Sequence, residues 1–221
     1  MKKFIFIPVV NNFDLLEKAV RSVKPGLYDE YIIFNNSEQE LPIFIYRGTQ
    51  FRVWTPEKRM TFKQTQNIMR SYAIDNQYDY YSFMHNDGEI NDDSDIKLIE
   101  MAESLQEPWG VIFTHYDVFC AFNTNAVKVI GEWGDPLWSK EQQSGYYLDN
   151  DYYRRLEKNG YKQMQIVGCQ VSHFASNTIK SPEEHKKWES QQQPVLDHYI
   201  KKWGDLPPNE KYEIPFNGEL V

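Results

Sequence analysis

The first forty residues already restrict the fold. Residues 4–10 are a continuous apolar run of strand length that ends at the turn-forming pair Asn11-Asn12. Leu15, Leu16, Ala19, Val20 and Val23 then recur at helical spacing behind Asp14, a residue suited to cap a helix, and Pro25-Gly26 stops the pattern. Residues 31–34 are a second buried strand, closed by Asn35-Asn36-Ser37. A strand, a crossover helix and a further buried strand form a β-α-β unit, which seeds a parallel sheet.

The same alternation continues along the chain. Residues 43–46 and 51–54 are short strand segments, 61–76 has helical spacing, and 80–84 is a third main strand. Ser94 caps a helix to about Leu105, 111–114 and 118–122 are strands, and 124–130 is a short helix. Residues 131–145 are a loop rich in Trp, Gly and Pro, 148–159 is a helix stopped by Gly160, and 165–171 is a late strand running to His173. The polar stretch from Ser181-Pro182 is helical to about Trp203. The predicted fold is α/β, a mixed and mainly parallel central sheet flanked by helices.

Composition bounds the function. A chain of 221 residues with 41% apolar and 25% charged residues can bury one sizeable core. Part of its 15 tyrosines and 6 tryptophans must be core, but such residues also suit platforms for sugars or flat rings. A net charge of −8 argues against nucleic acid as a partner, because phosphates need lysines and arginines to neutralise them. The same charge makes a diphosphate ligand awkward unless a cation mediates. Cys120 and Cys169 show neither C-x-x-C spacing nor a disulfide framework and read as thiols of a reducing, cytoplasmic setting. The Met1-Lys2-Lys3 start resembles a signal peptide only briefly, since Pro8 and Asn11-Asn12 interrupt the apolar run. No stretch is long enough to cross a bilayer.

Chemistry concentrates in residues 79–90. Here the buried strand runs into His85-Asn86-Asp87-Gly88, and the C-terminal edge of an open α/β sheet is where ligands bind. Taken alone, Asp87-Gly88 is more simply a turn after a strand. Asp149-Asn150-Asp151 and His173, far along the chain, supply the remaining parts of a site. Transfer of a sugar from a nucleoside diphosphate requires the leaving diphosphate's charge to be stabilised, and a bound divalent cation does so. It also requires a carboxylate to take the proton from the acceptor hydroxyl. Asp149 and Asp151 are the candidates for that base, although Asp149 is also placed to cap the helix that follows.

In order and spacing, these segments resemble the GT-A glycosyltransferases of the kind related to the large bacterial family 2 enzymes. Phe6-Ile7-Pro8-Val9-Val10-Asn11-Asn12 resembles their opening strand and Pro-x-x-Asn, and Asn35-Asn36-Ser37 stands where they commonly have paired aspartates before Gly-Ser. Thr65-Gln66-Asn67 matches their Ala-Arg-Asn only at the asparagine. His85-Asn86-Asp87 takes the place of their D-x-D signature, Leu148-Asp149-Asn150-Asp151 that of their Glu-Asp-x-Asp, and His173 with Ser176 that of their His-x-x-Ser. The resemblance covers about residues 3–178. It implies a GT-A nucleotide-sugar-binding and catalytic domain over residues 1–180, with a helical extension over 181–221 packed on it.

The resemblance further implies a nucleotide-sugar donor, preferably a UDP-linked hexose, a hydroxyl-bearing acceptor, and Mn²⁺ or Mg²⁺ held by Asp87 and His173 with His85. Pro8, Val9, Asn11, Asn36, Lys63, Asn67, His85 and Asn86 would bind the nucleotide sugar. Asp149, or Asp151 on a shifted register, would be the base. Trp133, Trp138 and Tyr146 in and beside the aromatic loop would stack on the acceptor, where the bland alternative is a packed loop. Three departures stand out: histidine replaces the first D-x-D carboxylate, asparagines replace the nucleoside-side aspartates, and Gln66 replaces an arginine. Two rival readings remain, a nucleotidyltransferase, which would carry a Gly-rich basic loop where Pro8–Asn12 has neither Gly nor Lys, and a non-catalytic nucleotide- or carbohydrate-binding module.

Overall fold

The computed structural model describes residues 1–134, 146–174 and 182–219. Its strands are β1 (Lys3–Val9), β2 (Glu30–Asn35), β3 (Phe44–Tyr46), β4 (Thr49–Trp54), β5 (Tyr80–Met84), β6 (Gly88–Ile90), β7 (Trp109–Phe113), β8 (Phe119–Asn123), β9 (Lys162–Gln165) and β10 (Val171–His173). Its helices are α1 (Phe13–Ser22), α2 (Phe62–Asp75), α3 (Ser94–Ser104), α4 (Thr124–Ile130), α5 (Leu148–Lys158) and α6 (Pro182–Trp203). Among these, eight strands form one sheet in the order β3-β4-β2-β1-β5-β8-β7-β9. β4, β2, β1 and β5 run parallel, as does the β7–β9 pair, while β8 is antiparallel to both its neighbours and β3–β4 is a hairpin. The mixed, mainly parallel sheet expected from the sequence is present.

Period-two alternation explains why the central strands are apolar throughout, because both faces are covered. Phe4 and Phe6 of β1, with Phe34, Tyr81, Phe83 and Phe122, face a core shared with α2, α4, α5 and α6. Ile5, Ile7 and Val9, with Ile33, Tyr80, Met84 and Ile112, face the opposite core against α1 and α3. The aromatic surplus is therefore largely a packing device on one face. Phe4 stacks on Tyr81 with ring centroids 5.4 Å apart, and Tyr81 stacks on Phe122 at the same distance.

Local signals set the helix ends. Thr61 and Gln64 form a reciprocal capping box at the start of α2, with Thr61 Oγ1 accepting from Gln64 N at 3.1 Å and Gln64 Oε1 accepting from Thr61 N at 2.8 Å. The expectation that Asp14 caps α1 is corrected: the helix begins at Phe13, Asn12 occupies the cap, and Asp14 lies in the first turn.

The late strand expected over 165–171 is also corrected. The chain leaves the main sheet after Gln165, turns at Gly168 with φ +77°, and re-forms as β10. Only glycine takes that backbone conformation without strain. β10 pairs antiparallel with β6, a strand the sequence pattern did not indicate, so that His173 lies opposite Gly88.

Candidate active site

The two-stranded β6–β10 ribbon decides the geometry. β5 ends at Met84 on the C-terminal edge of the sheet, the chain crosses the edge as His85-Asn86-Asp87, and Gly88 opens β6. Opposite it, His173 closes β10, and Phe174 N donates to Asp87 O at 2.9 Å. A side chain at Gly88 would strike Val118 Cγ1 at 2.9 Å, so the turn needs glycine for close packing.

The result is a compact donor cluster. His173 Nε2 lies 3.4 Å and His85 Nδ1 3.8 Å from Asp87 Oδ1, and one ligand atom from each of the three residues falls within 4.8 Å of the others. Asp87 is 7% exposed. The His85 ring packs on Phe83 at 4.9 Å and meets the His173 ring edge-on at 5.5 Å. Burial holds His85 below the usual imidazole range against the opposing pull of Asp117 and Asp87, which favours the neutral ring that can bind a metal. Its Nε2 and Asn86 Nδ2 are buried without a hydrogen-bond partner in the structure. Two imidazoles and a carboxylate with ligand atoms this close together are a donor set that fits a divalent cation.

A second cluster adjoins the first. His85 N donates to Val118 O at 2.9 Å, which ties the donor turn to the short 3-10 turn Tyr116–Val118. The Asp117 charge in that turn acts on the Asp149 carboxyl in the first turn of α5. Asn150 Nδ2 donates to the Tyr116 hydroxyl at 3.2 Å, joining the two segments again. Burial, then the Asp117 charge, push Asp149 up to about 7. A carboxyl raised in this way can take up or release a proton near neutral pH, next to the histidine–aspartate cluster. The sequence reading missed Asp117. Its signal was available: Thr114-His115-Tyr116-Asp117 is a polar run following a buried strand, like the run after β5.

Asp151, the alternative base, is corrected. It is fully buried on the opposite side of α5, where Lys202 Nζ lies 2.6 Å and Arg155 Nε 3.1 Å from its oxygens and Trp203 Nε1 donates to it at 2.9 Å. A carboxylate so enclosed anchors α6 to α5 and has no access to an acceptor.

Asn36 is corrected as a nucleoside contact. Its Nδ2 donates to Met60 O and Thr65 Oγ1 and its Oδ1 accepts from Met60 N at 2.9 Å, so the amide pins the approach to α2. Asn35 is likewise engaged, with Gln39 O and Ser37 N. Asn67 exchanges two hydrogen bonds with the backbone of Trp133, at 2.7 and 3.2 Å, and so holds a loop. Trp133 is corrected as an acceptor platform: it is 1% exposed and stacked on Tyr152 with centroids 4.0 Å apart. Tyr146 is 42% exposed and meets Trp188 edge-on at 5.7 Å. Trp138 and Ser176 lie outside the described residues.

Pro8 and Val9 end β1, and Asn11, left-handed at φ +54°, follows them on the same C-terminal edge. Lys63 is half-buried in the first turn of α2, with its stem where a side chain at Gly134 would stand.

No protein-family model matches the sequence, and no curated protein is detectably similar to it. Solved structures are. A mannosyltransferase from Pyrobaculum calidifontis, PcManGT, in complex with GDP-Man and Mn²⁺, superposes with a TM-score of 0.58 over 95% of this chain and 67% of its own, at 12% identity. The fold is that of the GT-A glycosyltransferases. S. aureus TarS 1-349 in complex with UDP matches the same GT-A fold with a TM-score of 0.55 over 75% of this chain and 58% of its own, at 11% identity. A Drosophila β1,4-galactosyltransferase 7 mutant complexed with manganese, UDP-Gal and xylobiose follows with 0.52 over 82% and 74%, at 13% identity. The chain thus spans little more than half of TarS 1-349, and the likeness throughout is one of fold. Among the described residues no helix is long and apolar enough to cross a membrane.

Proposed function

We propose that this chain is a metal-dependent glycosyltransferase that moves a hexose from a nucleotide sugar, UDP-linked by preference, to an acceptor hydroxyl. The observation that carries the reading is the meeting of His85, Asp87 and His173 at the C-terminal edge of a GT-A sheet, beside the Asp149 carboxyl, which is raised to about 7. Solved structures of the same fold hold nucleotides and Mn²⁺.

His85, Asp87 and His173 would hold Mn²⁺ or Mg²⁺. When bound, such an ion stabilises the charge that develops on a leaving diphosphate. Pro8, Val9 and Asn11 line the edge next to it, and Lys63 and Asn86 complete the donor side in this reading. Asp149 takes the proton of the acceptor hydroxyl onto a carboxylate oxygen, and Asp117 holds that carboxyl in place and raises its basicity. In this reading Asp149, at the start of α5, faces the acceptor, and the exposed Tyr146 two residues before the helix would stack on it. Direct attack by a hydroxyl so activated inverts the anomeric carbon.

The test is a screen of UDP- and GDP-sugars for metal-dependent release of the nucleoside diphosphate, with isothermal calorimetry of UDP in parallel. Release that stops in EDTA supports the reading. Binding of UDP with no release from any donor would assign the chain to a non-catalytic nucleotide-binding module, and release of inorganic pyrophosphate from a nucleoside triphosphate would assign it to the nucleotidyltransferases.

A further inference from the structure

The donor cluster differs in kind from a pair of carboxylates. Two of its three ligating groups are imidazoles, and each is fixed by structure rather than by a ligand. His85 is held by its Phe83 ring contact and by the backbone bond to Val118, and His173 by its place in the β6–β10 ladder. Asp87 is nearly buried, with one of its oxygens 3.4 Å from His173 Nε2 and 3.8 Å from His85 Nδ1. The three groups are gathered by contacts within the chain itself.

Two physical consequences follow. Mg²⁺ is a hard ion that keeps its waters and takes oxygen ligands, whereas imidazole nitrogen favours the later first-row metals. For a nitrogen-rich site affinity rises from Mn²⁺ to Co²⁺ and stays high at Zn²⁺. Three preset protein ligands also reduce the ordering cost of binding, so the diphosphate need not supply most of the affinity.

We infer that the His85–Asp87–His173 cluster is a transition-metal site that loads without nucleotide and discriminates against Mg²⁺, and that His85 sets this discrimination. The inference rests on the proposed function only in taking this cluster as the cation site. Replacing His85 by aspartate converts the donor set to one nitrogen and two carboxylates, which narrows the gap between Mg²⁺ and the transition metals.

The test uses the full chain with metal ions alone. Binding of Mn²⁺ is followed by electron paramagnetic resonance and of Co²⁺ by its visible absorption, each in competition with Mg²⁺. The expected result is loading without UDP, an order of Co²⁺ above Mn²⁺ above Mg²⁺ with the last at least about tenfold weaker than Mn²⁺, and nitrogen coupling in the Mn²⁺ echo spectrum. His85→Asp is expected to close most of the Mn²⁺–Mg²⁺ gap with the circular dichroism spectrum unchanged, and Asp87→Asn to remove binding of all the ions. Mg²⁺ competing on equal terms with Mn²⁺ in the parent, absence of nitrogen coupling, or the same selectivity in His85→Asp would overturn the inference.

A UDP titration of the metal-loaded protein separates the two readings. Selective metal loading with no UDP binding keeps this inference and refutes the transferase, whereas UDP binding that Mg²⁺ supports as well as Mn²⁺ does the reverse.

Discussion

Asp151→Ala separates the two acidic positions at the start of α5. Asp151 is fully buried, receives Lys202 at 2.6 Å, Arg155 at 3.1 Å and the Trp203 indole at 2.9 Å, and Lys202 itself is 2% exposed. Removing the carboxylate strips a buried ammonium of this counter-ion, a change that costs about 3–5 kcal/mol. Arg155 is cushioned, because it also donates to Ile130 O and Glu132 O. At about 2–4 °C per kcal/mol for a chain of this size, the melting temperature falls by about 6–20 °C. Thermal unfolding followed by far-ultraviolet circular dichroism reads the shift directly. The double variant Asp151→Leu with Lys202→Met removes both charges and recovers most of the loss, since hydrophobic replacement of a whole buried pair is often neutral. A single variant that melts within about 2 °C of the parent, which is the scatter of surface substitutions, would refute the anchoring role and reopen Asp151 as a base.

Asp149→Asn is expected to show the opposite pattern, an intact fold and unchanged metal binding with transfer reduced by about 10²–10⁴-fold; equal donor turnover in variant and parent would move the base elsewhere. The pH dependence has two opposite signs. Asp149 is raised from 3.8 to about 7, so the fold prefers its protonated form; activity rises as the pH climbs through about 7, while this group's contribution to stability is lost between about 4 and 7. Asp117→Asn removes the charge that helps raise Asp149 and is expected to move the activity limb to lower pH, which a pH–rate profile of donor hydrolysis would register; an unmoved limb refutes the pairing. Asp87→Ala is expected to abolish metal binding without lowering the melting temperature by more than a few degrees, since Asp87 lies at the sheet edge; retained Mn²⁺ affinity refutes its assignment.

The parallel sheet was legible because its strands are continuous apolar runs bounded by turn residues, a pattern that burial on both faces produces. The meeting of His85, Asp87 and His173 was legible because polar residues at the end of such a run have few structural uses. What escaped was set by tertiary contact. β6 and β10 are three residues each, too short to show a period, and exist because they pair with one another. Asn36, Asn67 and Trp133 carry the chemistry of ligand contacts, but their partners are other parts of this chain, and sequence does not show which hydrogen bonds are already taken. Asp117 sits in a three-residue turn whose proximity to Asp149 arises only when α5 docks beside β7.

On the proposed function, the β6–β10 ladder would also tie metal capture to the completion of folding. One of the three would-be ligands, His173, waits on a segment made late in synthesis, and a few backbone bonds bring it across to the other two. A nascent chain lacking that segment holds only an incomplete shell, so premature capture of metal by unfinished protein is disfavoured. Occupancy of the ion would then serve as a reporter of long-range chain closure.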